Sequence, residues 1–166
     1  IAHKHGILVV VDGAQSVAHG PTELSDLDVD FFVFSGHKVY TPMSPGVLVA
    51  KRALLKDLSG QDLGGGSVST VSFYDYELVS NETEKEESGT PNIIGAIALA
   101  SVLVELMDFG LSNIQAKDDL LMLELVDSLR SIDEITLYAA PDLKRTGALA
   151  FNHQKLDHGL FAAILN

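Results

Sequence analysis

Apolar positions arrive first in short unbroken runs and later at helical spacing. "ILVVV" (Ile7 to Val11), "DFFVFS" (Asp30 to Ser35) and "GVLVAK" (Gly46 to Lys51) have almost no polar interruption. Runs this short, bounded by glycine and polar residues, predict strands buried on both faces. Ahead of the first, "IAHKHG" reads as the tail of a helix: His3, Lys4 and His5 suit its C-terminus, and Gly6 stops it. "TPMSPG" predicts a loop between the second and third strands, and "ALLKDL" a short helical turn.

From Gly60 to Gly89 the periodicity fades into "GQDLGGGSVSTVSFYDYELVSNETEKEESG". This predicts a long functional loop, with a short strand at Val68 to Tyr74. "TPNIIGAIALASVLVELMDFG" then opens a helix, with Thr90 as cap and Pro91 at the first helical position. It is apolar on most faces, so a buried helix is expected, ended by Gly110. "LSNIQAKDDLLMLELVDSLRSI" is amphipathic, with Leu121, Leu125, Val126 and Leu129 on one stripe. "ITLYA" and "GALAFN" predict strands, and "LDHGLFAAILN" begins another helix. Strands mixed with helices give an α/β fold, with a smaller α+β unit starting near Ile135. The expected domains are 1–134 and 135–166. The chain opens inside one helical pattern and closes inside another, so both ends read as cut.

Composition narrows the function. The chain has 166 residues, of which 46% are hydrophobic, enough for a sizeable core. A formal net charge of −12 argues against a nucleic-acid or anionic-membrane surface, while leaving room for a local phosphate pocket. No apolar run reaches the roughly 18 residues of a membrane span. With no cysteine there is no disulfide framework and no thiolate metal site, which fits a cytoplasmic location. His3 and His5 sit two apart and would face different sides of a helix end, so no metal is expected there. The run Gly64 to Gly66 lacks the Gly-Lys-Ser/Thr of a nucleotide loop. "NETEKEE" reads as a solvated acidic face.

The candidate chemistry lies just past the strands. Asp12 and Gln15 follow the first; Ser35, His37 and Lys38 follow the second. Ligands of open α/β sheets bind outside the carboxyl ends of strands. Each residue alone has an ordinary reading: a solvated lysine, a turn-forming aspartate, loop polar groups. Together they match what pyridoxal 5'-phosphate (PLP) demands. Its aldehyde needs a lysine amine, its ring nitrogen a carboxylate, its phenolic oxygen an N–H donor, and its phosphate hydroxyl, imidazole and backbone donors.

"VVVDGAQSVAHGPTELSDLDVDFFVFSGHKVY" resembles the cofactor segment of the class V aminotransferase family of fold type I PLP enzymes, and "ESGTPNIIGAIALA" resembles its Gly-Thr-Pro-Asn helix start. The pattern is most similar to the family's cysteine desulfurases and selenocysteine lyases. The resemblance implies the central and C-terminal part of the PLP-binding large domain, a mixed, mainly parallel sheet with helices, followed by the start of the small domain. It implies that Lys38 bonds the aldehyde and later moves the α-carbon proton. Asp12 would pair with the ring nitrogen, Gln15 would bond the phenolic oxygen, and Ser35 and His37 would hold the phosphate. It implies a homodimer in which Gly89 and Thr90 reach the partner's phosphate, and cysteine or selenocysteine as substrate. The chain departs from the family at "TPMSPG", where a Gly-Pro-Thr-Gly-Ile-Gly-like turn is usual, and at Lys85, where an arginine is common. The family's N-terminal ring-stacking segment and its C-terminal substrate arginine have no counterpart in these residues, so the chain by itself is expected to be inactive. The alternatives are a class V aminotransferase acting on another amino acid, and a truncated non-catalytic protein that keeps the fold for self-association.

Overall fold

The computed structural model describes residues 1–58, 60, 62–138 and 147–166. They form two compact units, Ile1–Val17 with Thr22–Glu105, and Ala18–Pro21 with Leu106–Asn166. The first begins with a 3-10 turn, Ala2–His5, which Gly6 closes in the left-handed conformation (φ 66°). The Gly6 N–H donates to the His3 carbonyl at 3.1 Å and Ile7 N–H to Ala2 at 3.2 Å. The expected helix stop is therefore present, for the expected reason: only glycine adopts this φ without strain.

β1 (Val10–Asp12), α1 (Leu24–Leu27), β2 (Phe31–Ser35) and β3 (Gly46–Ala50) follow. The sheet order is β1-β2-β3, with β1 parallel and β3 antiparallel to β2. Burial on both faces holds only for the centre of β2, where Phe32 is 3% exposed. Val10, Leu48 and Val49 on the outer strands are exposed, as are Ile7 and Leu8, which precede β1 instead of starting it. The pairing explains this: β1 begins where Val10 meets Phe31, and both outer strands are edges. Burying Phe32 contributes about 1.5–3 kcal/mol, and Gly13 makes it possible, since a Cβ there would strike the Phe32 ring.

After α2 (Arg52–Lys56), the expected long loop contains a hairpin, β4 (Val68–Val71) and β5 (Tyr76–Leu78). Its turn is closed by Ser72 N–H to Asp75 C=O at 2.8 Å, while the Ser72 hydroxyl accepts from Asp75 N–H at 3.0 Å. Two exposed aromatics, Phe73 and Tyr74, sit at the tip. A 3-10 turn, Glu84–Glu86, leads to α3 (Ile93–Phe109).

Two expectations about α3 are corrected. Its cap is Asn92, not Thr90: the Asn92 Oδ1 accepts from Gly95 N–H at 3.0 Å, and its carbonyl accepts the Ala96 N–H. Asparagine is the better cap, so the helix starts two residues later. Nor is the helix buried all round. Only Gly95 and Leu99 are buried, and Ile93, Ile94, Ile97, Val104 and Met107 are exposed.

The second unit contains α4 (Leu111–Arg130), the antiparallel pair β6 (Ile135–Leu137) and β7 (Phe151–His153), and α5 (His158–Leu165). Asp157 caps α5 by accepting from Gly159 N–H (2.9 Å) and Leu160 N–H (3.3 Å). Phe161 of α5 meets Phe151 of β7 edge-on, ring centroids 5.9 Å apart. Val126 is the buried centre of α4, but Leu121 and Leu125 of the expected stripe are exposed. The covered stripe is rotated toward Gln115 and Asp118; Asp118 receives His19 Nδ1 at 2.7 Å and Gln115 packs on Gly20. The expected "ITLYA" strand ends at Leu137, and its residue 139 lies outside the described residues; the "GALAFN" strand starts only at Phe151. No single described helix is long and apolar enough to cross a membrane. The whole is a mixed α/β fold.

Candidate active site at the carboxyl ends of β1 and β2

Parallel pairing brings Asp12 level with Val33, two residues short of Ser35. Gly13 N–H extends the ladder to the Val33 carbonyl at 2.7 Å. Asp12 and the Ser35–Lys38 turn therefore leave the sheet at the same end. The Asp12 Oδ1 accepts Ala14 N–H at 2.9 Å, which fixes the carboxylate and leaves its second oxygen without a partner among the described residues. Gln15 lies in the following turn, which is closed by Ser16 N–H to Gly13 C=O at 3.0 Å.

Beyond Ser35 the chain winds into a 3-10 turn, Gly36–Lys38. Gly36 organises it. Its N–H donates to Pro45 C=O (3.2 Å), and its carbonyl accepts from Val39 N–H (2.8 Å) and Thr41 N–H (3.3 Å). It must be glycine, because a Cβ would strike the Ser44 side chain and lie 3.0 Å from Leu99. Val39 is fully buried and Thr41 nearly so, while His37 and Lys38, between buried Gly36 and Val39, are exposed. Two L-residues, Tyr40 (φ 53°) and Met43 (φ 61°), turn left-handed to complete the loop. The Asn92 Nδ2 holds it from α3 by donating to the Met43 carbonyl at 2.7 Å. A hydrogen-bonded, largely buried base thus presents Lys38, which has no side-chain partner among the described residues.

Gly89 and Thr90 are placed differently. With Pro45, Gly46 and Asn92, Gly89 lines a cleft of about 490 Å³ that Asp12 and Lys38 do not line. Gly89 is left-handed (φ 83°) and its N–H donates to Gly65 C=O at 2.7 Å. The structure therefore brings Asp12, Gln15, Ser35, His37 and Lys38 to one end of the sheet; Gly89 lines a cleft that includes Gly46, the β3 partner of Ser35, and Thr90 is not part of its lining.

At the opposite end of β2 sits an ionic cluster that sequence reasoning missed. Buried Asp30 accepts from Val9 N–H (2.7 Å), His3 Nε2 (2.8 Å) and Lys51 Nζ (2.9 Å); Asp28 takes His3 Nδ1 (3.1 Å) and Lys51 (3.1 Å). The Val9 amide, then Lys51 and His3, hold the Asp30 carboxyl far below the usual carboxylate range. Hydrogen bonds to Asp30 and Asp28 raise the His3 imidazole above its ordinary value. His3 is thus a structural cation. The missed signal was an aspartate just before the second strand, facing a lysine just after the third.

The donor set fits PLP. A lysine amine, a carboxylate with one oxygen available, an amide, a hydroxyl and an imidazole stand at one strand end. None of them takes part in an ion pair among the described residues, and only Asp12 spends a side-chain atom on the protein. The model for the aminotransferase class-V family matches residues 1–166. A cysteine desulfurase of Escherichia coli is 40% identical over 164 residues, covering 97% of this chain and 40% of that protein. A crystal structure of an E. coli cysteine desulfurase superposes with a TM-score of 0.84 at 36% identity, over 99% of this chain and 40% of its own. The apo cysteine desulfurase of Thermococcus onnurineus NA1 gives 0.88 at 34% identity, over 99% and 41%. The chain spans about 40% of the length of the curated relatives it matches.

Proposed function

The chain belongs to the aminotransferase class-V family, and on that premise we propose that it is the cofactor-anchoring part of a PLP-dependent enzyme that removes sulfur from L-cysteine or selenium from selenocysteine. The observation that carries this reading is Lys38, unpaired among the described residues, on a 3-10 turn anchored by buried Gly36, at the same strand end as Asp12. PLP, when bound, supplies an electron sink for the substrate's α-carbon.

The residues divide the work. Lys38 anchors the cofactor through its amine, then accepts and returns the α-carbon proton; its exposure lets the head group swing between the two tasks. Asp12, oriented by the Ala14 amide, keeps a positive charge on the ring nitrogen. Gln15 donates to the phenolic oxygen. Ser35 and His37 bind the phosphate beside the start of the turn. Gly89, on its cleft, and the following Thr90 serve the phosphate of a second subunit, which makes a homodimer the working form. Residues 1–134 are assigned to the large domain and 135–166 to the start of the small one. The chain has no cysteine to carry sulfur, so these residues alone are expected not to turn over cysteine.

The test is covalent. Purified protein is mixed with PLP, watched for the absorbance band of a lysine adduct, and reduced with borohydride. A phosphopyridoxyl group on Lys38 is expected by mass spectrometry. Equal labelling of the Lys38→Ala variant would sink the assignment. A second reading, transamination of a different amino acid, is favoured by the left-handed Tyr40 and, within "TPMSPG", Met43, which reshape the loop beside Lys38. Substrate profiling separates the two.

A further inference from the structure

Lys85 is buried, 8% exposed, and it makes no ion pair among the described residues. Its ammonium donates instead to two backbone carbonyls, Lys56 (3.1 Å) and Leu58 (2.5 Å), at and just beyond the end of α2. Taking an ammonium out of water is costly unless strong acceptors replace the solvent. The end of a helix supplies them, because its last carbonyls lack intrahelical partners and carry partial negative charge.

This bond is one of a series. At the start of α2, Arg52 Nη2 meets Glu82 Oε2 at 3.0 Å. Past Lys85, the Glu86 Oε1 accepts Gly60 N–H at 3.1 Å, and Gly89 N–H reaches Gly65 C=O at 2.7 Å. Backbone approach is close enough that a Cβ on Gly60 would lie 2.9 Å from the Lys85 carbonyl. Residues 82–89 are thus laced to residues 52–65, and Lys85 is the buried cation in the lacing. The last tie is at Gly89 itself, whose left-handed turn sets the direction of Thr90 and the approach to the Asn92 cap.

We propose that Lys85 is a positioning residue: by holding the carbonyls of Lys56 and Leu58, it fixes the 82–89 segment so that Gly89 and Thr90 are presented to the cofactor phosphate. This rests on the phosphate role given to Gly89 and Thr90 above. Lys85 does not touch the cofactor. It acts through the backbone, and a guanidinium at the same place can donate to the same two carbonyls.

Two readouts test it on the whole protein: hydrogen exchange of residues 86–92 without cofactor, and the PLP dissociation constant. Lys85→Met is expected to speed exchange across 86–92 and to weaken PLP binding by about tenfold. Lys85→Arg is expected to restore both, and Lys117→Met, at an exposed cation of α4, to change neither. If Lys85→Met does not fold, Lys85→Leu, which also lacks a donor, is read the same way. Unchanged exchange in Lys85→Met overturns the proposal. So does faster exchange with unchanged PLP affinity, provided Thr90→Ala does lose affinity. If Thr90→Ala binds PLP as tightly as the parent, the phosphate reading fails instead, and the exchange data alone decide whether Lys85 holds the segment.

Discussion

Replacing Gly95 with alanine sets helix propensity against packing. Gly95 stands in the first turn of α3, where alanine is intrinsically better by up to about 1 kcal/mol. Its N–H donates to the Asn92 cap at 3.0 Å. A Cβ there would lie 2.5 Å from Asn92 Nδ2 and 2.7 Å from the Met43 carbonyl, two groups that are hydrogen-bonded to each other. The methyl group therefore enters the link that ties α3 to the loop after Lys38. The Asn92 side chain can move, but the Met43 carbonyl is backbone. Losing the cap costs about 1 kcal/mol, losing the Met43 bond about 1 kcal/mol more, and residual overpacking adds about 1–3 kcal/mol. Packing wins, and the net loss is about 2–4 kcal/mol after the propensity gain. Urea unfolding of the whole protein measures it: with a slope of about 2 kcal/mol per M, the midpoint falls by roughly 1–2 M. In an Asn92→Ala background the same substitution should cost less, because one of its two obstacles is gone. A midpoint that rises in Gly95→Ala would mean that propensity governs and that the loop does not press on the helix there.

Gly13→Ala forces the buried Phe32 ring aside and is expected to cost about 1–3 kcal/mol while weakening PLP retention; an unchanged melting temperature would contradict it. Met43→Gly relieves a left-handed L-residue that is almost fully exposed. A gain of about 0.5 kcal/mol should remain after glycine's extra freedom in the unfolded chain is subtracted, read as a higher urea midpoint. The ionic cluster makes stability depend on pH in two windows. His3 is raised, so its contribution is complete below its ordinary pKa of about 6.5 and is lost as pH rises through its higher folded value. Asp30 is depressed, so its contribution is complete above about 3.9 and is lost only as pH falls toward its lower folded value. Melting temperatures from about pH 5.5 to 8.5 should decline in the parent and decline less in His3→Gln; parallel curves would remove His3 from the cluster.

Much of this was legible in the sequence. The stop at Gly6, the strand Phe31–Ser35 and the polar residues past it follow from local rules that need no tertiary information. The Asp12 and Lys38 pairing needed one inference, that two strands with polar ends are parallel neighbours, and the register bears it out. What failed depended on what lies next to what. Thr90 and Asn92 are both competent caps, and the choice fell to Asn92, whose side chain also reaches Met43. Ile94 and Ile97 look like core by composition, but burial depends on a covering surface that the helix's own sequence does not specify. Lys85 read as one charge in an acidic stretch, and its burial comes from carbonyls nearly thirty residues away.

β2 has Asp30 against one end and the Lys38 turn at the other. Five residues of strand separate them by about 17 Å, roughly twice the screening length of physiological salt. The two ends are therefore remote from each other along the strand. Substitutions that retune the Asp30 cluster for heat or acid tolerance act a full strand's length from the amine, and changes around Lys38 need not weaken the lock. Such a strand lets durability and chemistry drift separately, so homologues from hot and temperate habitats should differ at one end of it far more freely than at the other.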